Sequence, residues 1–291
     1  MPYRHRRGAP LTVSFVLILG FMLLVPVGAL AATCGGLEAT IVGTAGDDVL
    51  FGTEGDDVID GRGGDDVIKA REGADVVCGG AGDDLIFGDL GPDTLDGGTG
   101  IDTVSFAREP QAVVVHLETN TASGESIDLL ARIENVIGTA FDDEISGDAN
   151  ANEINGRNGD DLLVGGAGAD TLRGRGGRDV LIGGAGNDEI LGSKGADVLL
   201  GDAGSDILLG GGAGDDLTGG PGSDLLDGGV GKDVIRPDAG NDVAIGGGGN
   251  DILDYGDWRR GVAVDLATQT AIGAGIDDVS GFRTVLGTAF D

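Results

Sequence analysis

The strongest constraint on this chain is a nine-residue period held in one phase along most of its length. From Gly43 the sequence steps through GTAGDDVLF, GTEGDDVID, GRGGDDVIK, AREGADVVC, GGAGDDLIF and GDLGPDTLD to the frame that starts at Gly97. A second run begins at Gly138 and ends with GGGGNDILD, which starts at Gly246, so that the two runs hold seven and thirteen frames. The sixth position is Asp in nineteen of the twenty frames, and the eighth is Leu, Ile or Val in nineteen. The exceptions are Asn152 at position six and Ala244 at position eight. In the frame from Gly210 to Thr218, phase selects Asp215 and Leu217, whereas aligning Gly214 with the usual fourth-position glycine selects Asp216.

Phase decides between readings that composition leaves open. With 60 Gly among 291 residues, and 50 Asp and Glu against 18 Lys and Arg, a disordered polymer and a collagen-like chain are both alternatives. Collagen requires a period of three and more than the 7 Pro found here. Disordered low-complexity sequence does not keep carboxylates and aliphatics in register over two long runs. A stacked repeat protein does.

Each frame divides into a turn and a short strand. Glycines at positions one and four are expected to supply the positive φ angles of the turn, and positions seven to nine carry strand-forming residues. The middle residue of a three-residue strand points away from its neighbours, so Leu50, Ile59, Ile68, Ile86 and their equivalents should form the core. Two frames then make one coil, successive strands fall on alternate sheets, and coils stack in parallel at about 4.8 Å. Stacking draws the sixth-position aspartates into two files, one along each edge.

Carboxylates about 5 Å apart repel by about 3 kcal/mol at an effective dielectric of 20, a penalty that recurs along both files. One aliphatic per frame is a thin core to oppose it. A dication held between stacked turns by Asp oxygens and backbone carbonyls reverses the sign. Ca²⁺ suits such a site better than Mg²⁺, which demands a tight octahedron and keeps its waters. Zn²⁺ is disfavoured, because beyond the leader only His116 and two Cys offer soft ligands. The candidate ligands are Asp48, Asp57, Asp66, Asp75, Asp84, Asp93 and Asp102 in the first run. In the second they are Asp143, Asp161, Asp170, Asp179, Asp188, Asp197, Asp206, Asp215 or Asp216, Asp224, Asp233, Asp242 and Asp251.

Frames such as GGAGDDLIF from Gly79 and GGAGNDEIL from Gly183 resemble the RTX, or hemolysin-type, calcium-binding repeat GGxGxDxUx. The resemblance covers residues 43–105 and 138–254. It implies an all-β fold, a right-handed parallel β-roll (a β-solenoid) in two blocks with irregular β spacers, with Ca²⁺ in the turns ligated by the sixth-position Asp. Phe141 and Asn150 depart from the pattern at the fourth position and Asn152 lacks the charge, which weakens the first two frames of the second run as sites.

Outside the repeats, Arg4, Arg6 and Arg7 precede an apolar run from Leu11 to Val27 that closes on Ala29-Leu30-Ala31. Residues 1–31 therefore read as a signal peptide, the alternative being an uncleaved membrane anchor for which the run, interrupted by Pro26, is short. Thr33 disfavours a lipid anchor on Cys34. After cleavage fifteen Lys and Arg face 50 acids, a net charge of −35. Such a surface does not bind nucleic acid or anionic lipid by charge, and no stable membrane insertion is expected.

Residues 32–42 read as a capping strand, 43–105 as the first block, 106–137 as a spacer, 138–254 as the second block, and 255–291 as a second spacer that enters a third, broken-off block. The spacers match at an offset of 149 residues, as VVVHLETNTASGESID from Val113 and VAVDLATQTAIGAGID from Val262 show. In the regular stack Cys34 and Cys78 lie several layers apart, beyond the ~4.4–6.8 Å Cα separation of a disulfide, so a bond requires the segment before Gly43 to fold back. His116 reads as an exposed strand residue. Trp258 reads as a ring packed over a coil, with a contact patch shared with Arg259 and Arg260 as the alternative.

GxGxxG matches arise from turn glycines that no helix follows, and there is neither HExxH nor GxSxG. The repeats begin shortly after the cleavage point, which leaves no room before them for a catalytic domain. The expected function is a secreted, non-enzymatic calcium-binding module, disordered without the ion and rigid with it. An adhesin or surface-matrix stalk, and the non-catalytic part of a larger secreted RTX hydrolase, are the alternatives. No protein partner is specified.

Overall fold

The computed structural model describes residues 32–256, 261–273 and 275–288. The signal-peptide segment and Trp258-Arg259-Arg260 lie outside the described residues. Within them all regular structure is β-strand, and no helix is long and apolar enough to cross a membrane.

Two sheets of fifteen strands carry the fold. Successive frames alternate between them: Val58–Asp60 pairs in parallel with Val76–Ala81 in one, and Val67–Lys69 with Leu85–Phe87 in the other. The register is 18 residues throughout the runs, as in Ile59↔Val77, Ile68↔Ile86 and Leu163↔Leu181. Two nonapeptides therefore close one coil, and the chain is a parallel β-roll.

Eighth-position side chains fill the interior. Ile59, Ile68, Ile86, Leu163, Leu181, Leu199 and Leu208 have no solvent exposure. Many strands run six residues, such as Leu162–Ala167 and Val180–Ala185, where three were expected, because the first positions of the next frame continue the ladder. The residue two beyond the core aliphatic then also faces inward. It is glycine in nearly every frame because that corner has no space for a side chain.

The core is one residue deep, and each aliphatic stacks on its equivalents in the coils either side. Leu199 sits between Leu181 and Leu217. Its neighbours are held at the strand spacing by the ladder and cannot collapse into a void. Leu199→Ala is expected to lower unfolding free energy by about 2–5 kcal/mol in denaturant titrations at saturating calcium. A loss below 0.5 kcal/mol, on the order of a surface change, would contradict this packing.

The spacers do not separate the blocks; they are stitched into the same two sheets. After Thr103–Ser105 the chain runs ahead to Val114–His116, which pairs in parallel with Glu144–Ser146 of the second run. It returns through antiparallel Thr121–Ser123 to Ile127–Ala131, which pairs in parallel with Thr94–Thr99 of the first. In the opposite sheet Asn135–Ile137 alone bridges Thr103–Ser105 and Glu153–Asn158. The second spacer repeats this hairpin with Ala263–Asp265, Thr270–Ile272 and Ile276–Ser280, but in the other sheet. The thirteen intervening frames are an odd number, so the chain arrives on the opposite side.

Val113, Val115 and Leu117 are buried, as their alternation requires. His116 is half-buried rather than exposed, because its Nδ1 lies 2.6 Å from Ser146 Oγ on the paired strand. At the N-terminus Thr33–Cys34 and Leu37–Glu38 form a small antiparallel hairpin ahead of Ile41–Val42, which joins the roll beside Val58–Asp60. This fold-back breaks the nonapeptide phase and brings Cys34 to Cys78, with which it forms a disulfide at a Cα separation of 5.7 Å.

Candidate metal sites

Each sixth-position Asp is tucked beneath its turn, and one carboxylate oxygen is used to stitch coils together. The backbone N–H of Asp48 donates to Asp66 Oδ1, that of Asp66 to Asp84 Oδ1 and that of Asp84 to Asp102 Oδ1, each at 2.8 Å. On the other edge Asp57 donates to Asp75 and Asp75 to Asp93 in the same way. The second run repeats the pattern, as in Asp161 to Asp179 to Asp197 to Asp215 and in Asp170 to Asp188 to Asp206 to Asp224. Asp233, Asp242 and Asp251 continue these files.

The files also pass through the spacers. Asp93 N–H donates to Asp128, Asp102 N–H to Glu134 Oε2 and Asp242 N–H to Asp277. Sequence reasoning missed these three because the nine-residue period stops around them. A signal was present: Asp128-x-Leu130, Glu134-x-Val136 and Asp277-x-Val279 keep the spacing of positions six and eight. Fifth-position carboxylates were also missed. Asp47, Asp65, Asp83 and Asp142 accept a backbone N–H from the following coil, stitching in the opposite direction.

The ambiguous frame resolves by phase. Asp215 is buried in its file and donates to Asp233 Oδ1 at 2.9 Å, whereas Asp216 lies one position on, outside the file, and is ion-paired with Arg236. Asp48, in the first coil, is only half-buried.

The other carboxylate oxygen poses the chemical problem. Of seventeen buried side-chain oxygens without a hydrogen-bond partner among the described residues, all but Asp89 Oδ1 are Oδ2 atoms of sixth-position aspartates. In fourteen of the sixteen frames they face a niche kept open by the missing side chain at position one, the exceptions being Ala70 before Asp75 and Pro237 before Asp242. A Cβ on Gly210 would lie 2.6 Å from Asp215 Oδ2 and 2.8 Å from the carbonyl oxygen of Gly228 in the next coil. At Gly192 the corresponding distances are 2.5 Å to Asp197 Oδ2 and 2.9 Å to Gly210 O. The first-position glycine is thus needed for room and not for conformation. The positive φ expected at position one falls at position two instead, as at Arg62 (φ 75°), while position four carries it as expected in frames such as that of Gly64 (φ 102°).

Burial raises the carboxylate pKa values against the pull of the inter-coil N–H bonds. Asp75, Asp84, Asp102, Asp170, Asp179 and Asp206 are pushed up to about 6, and Asp161 and Asp242 to about 7. Asp93 rises to about 8, chiefly by desolvation and further by the neighbouring charges of Asp128 and Asp75. Two files of anions in this environment call for positive charge.

The donors available are hard oxygens, carboxylate Oδ2 and backbone carbonyl. Among the described residues no three His, Cys, Asp or Glu side chains converge as a metal cluster, so carbonyls must complete any coordination shell. Ca²⁺ accepts such irregular, carbonyl-rich shells, and the niches fit it. When bound it would supply the charge that the files lack; the residues to hold it are the sixth-position aspartates with a free Oδ2.

A parallel β-solenoid edged by files of buried, uncompensated carboxylates defines a β-roll with acidic turns. The chain belongs to the RTX calcium-binding nonapeptide repeat family, whose model matches residues 42–77, 70–104, 137–172, 173–208, 209–244 and 238–257, more than half of the chain. Its repeats are calcium-binding structural units. No curated protein matches the chain.

Proposed function

We propose that this protein is an extracellular, calcium-binding structural module without catalytic activity, compact when Ca²⁺ fills its turns and expanded when it does not. The observation that carries the reading is the set of buried Asp Oδ2 atoms without a hydrogen-bond partner among the described residues. Burying an anion without a partner is among the least favourable events in folding, and a dication in each niche removes it. The Cys34–Cys78 disulfide supports an oxidising compartment, where structural disulfides persist. Calcium there lies near the ~10⁻⁴–10⁻³ M dissociation constants typical of extracellular modules. Scarce calcium inside the cell would leave the chain unfolded for export.

Equilibrium dialysis of residues 32–291 tests this. The expected outcome is many Ca²⁺ bound per chain with a midpoint of about 10⁻⁴–10⁻³ M, and few or no Mg²⁺ ions displacing them. Binding of no more Ca²⁺ than Mg²⁺ would refute the assignment.

A further inference from the structure

We propose that the twenty turns are of two kinds: sixteen that close on a metal ion, and four, at Asp48, Asp57, Asp143 and Asn152, that close without one and cap the two runs. The inference rests on the calcium reading and adds which turns the ion does not enter.

The four are absent from the set of unpartnered oxygens because their own turns supply donors. Asp48 Oδ2 accepts the Thr44 N–H at 2.6 Å. Asp57 Oδ2 accepts both the N–H and the hydroxyl of Thr53, at 2.6 and 2.9 Å. Asp143 Oδ2 accepts the Thr139 N–H at 2.6 Å, while its Oδ1 takes the Thr139 hydroxyl and the Val113 N–H. Asn152 Oδ1 accepts the Asp148 N–H at 2.9 Å, and its amide nitrogen donates to the Glu134 carbonyl at 2.8 Å. There a neutral amide satisfies an N–H of its own turn and a carbonyl of the preceding coil, and leaves no buried charge to compensate.

The backbone at position two distinguishes the classes. Thr44, Thr53, Thr139 and Asp148 do not have positive φ, and each turns its N–H onto the carboxylate or amide four residues on. In the sixteen other frames the second residue is left-handed, and Oδ2 is left without a partner. This holds for Arg62, Asp89, Arg157 and Ser193 as well as for glycines. A left-handed conformation is disfavoured for a non-glycine residue, so the open turn is not the chain's default.

Placement explains why there are four. They are the first two frames of each run, hence one turn on each of two edges. These turns have no nonapeptide turn beneath them, although the carbonyl of the following coil lies beside the first-position glycine here as elsewhere, as Gly61 O does at Gly43. What sets them apart is the N–H donor that the turn itself supplies. The far ends follow the same logic, for Tyr255 donates its hydroxyl to Asp277 Oδ2 at 2.7 Å and the Ser126 side chain bonds to Asp128.

Asp57→Asn and Asp188→Asn separate the two classes. Asparagine at 57 keeps an acceptor for the Thr53 N–H and presents its amide to the Thr40 hydroxyl, which lies 3.3 Å from Asp57 Oδ1. The D57N chain is expected to bind as many Ca²⁺ ions as the parent in equilibrium dialysis and to fold at the same calcium midpoint by circular dichroism. D188N is expected to bind fewer ions and to shift the midpoint upward several-fold. Loss of ions or a comparable midpoint shift in D57N, or its failure to fold at saturating calcium, overturns the cap assignment while the calcium reading stands. Parent behaviour in D188N sinks both.

Discussion

Withdrawing calcium with excess chelator is expected to abolish the β-sheet circular dichroism of the chain, and resupplying it above the midpoint to restore the signal. The size of the effect follows from comparing terms. An ion buried without a counter-charge costs several kcal/mol even after relaxation, and sixteen sixth-position aspartates present such an oxygen. Net folding stability is only about 5–15 kcal/mol. A core one aliphatic deep has no reserve against a penalty repeated so many times. The Cys34–Cys78 bond confines the first coils only and does not relieve the files beyond them. Magnesium at the same concentration is expected to restore little, since niches completed by carbonyls do not offer its tight octahedron. An unchanged spectrum and thermal midpoint in chelator would show that the carboxylates are compensated by some other means.

How much of this was legible beforehand depends on whether a residue's role is fixed by its place in the period. The eighth-position aliphatics and sixth-position aspartates are so fixed, which is why Ile68, Leu181, Asp84 and Asp188 stand where the phase puts them. The same rule chose Asp215 over Asp216. Where a role depends on backbone handedness, residue type misleads. Positive φ was assigned to first-position glycines because glycine adopts it freely, yet Arg62, Arg71, Arg157 and Arg175 carry it, and Gly210 is glycine because Asp215 Oδ2 and Gly228 O fill the space of its Cβ. Non-local pairing was hidden as well. Nothing local shows that Val114–His116 runs ahead to meet Glu144–Ser146 before the chain turns back, or that a hairpin at Thr33–Cys34 carries Cys34 to Cys78.

Protons should partly replace calcium, and the direction of the effect discriminates between electrostatic and purely steric accounts of the turns. In the folded chain burial raises Asp75, Asp84 and Asp206 to about 6, Asp161 and Asp242 to about 7 and Asp93 to about 8, all from 3.8. Between these values the metal-free folded state binds more protons than the unfolded state, so its stability rises as pH falls. The contribution is lost as pH rises through about 6 to 8 and is fully present below about 4, the unfolded value. A metal-stripped chain without chelator is therefore expected to lack β signal near pH 8 and to gain it progressively toward about pH 4, at protein concentrations low enough to prevent association. Calcium binding runs the opposite way, because protonated carboxylates are not ligands, and its midpoint should rise over the same window. A metal-free chain that stayed unfolded through acidification, or that folded as pH increased, would mean that the repulsion in the two files is not what keeps the roll open.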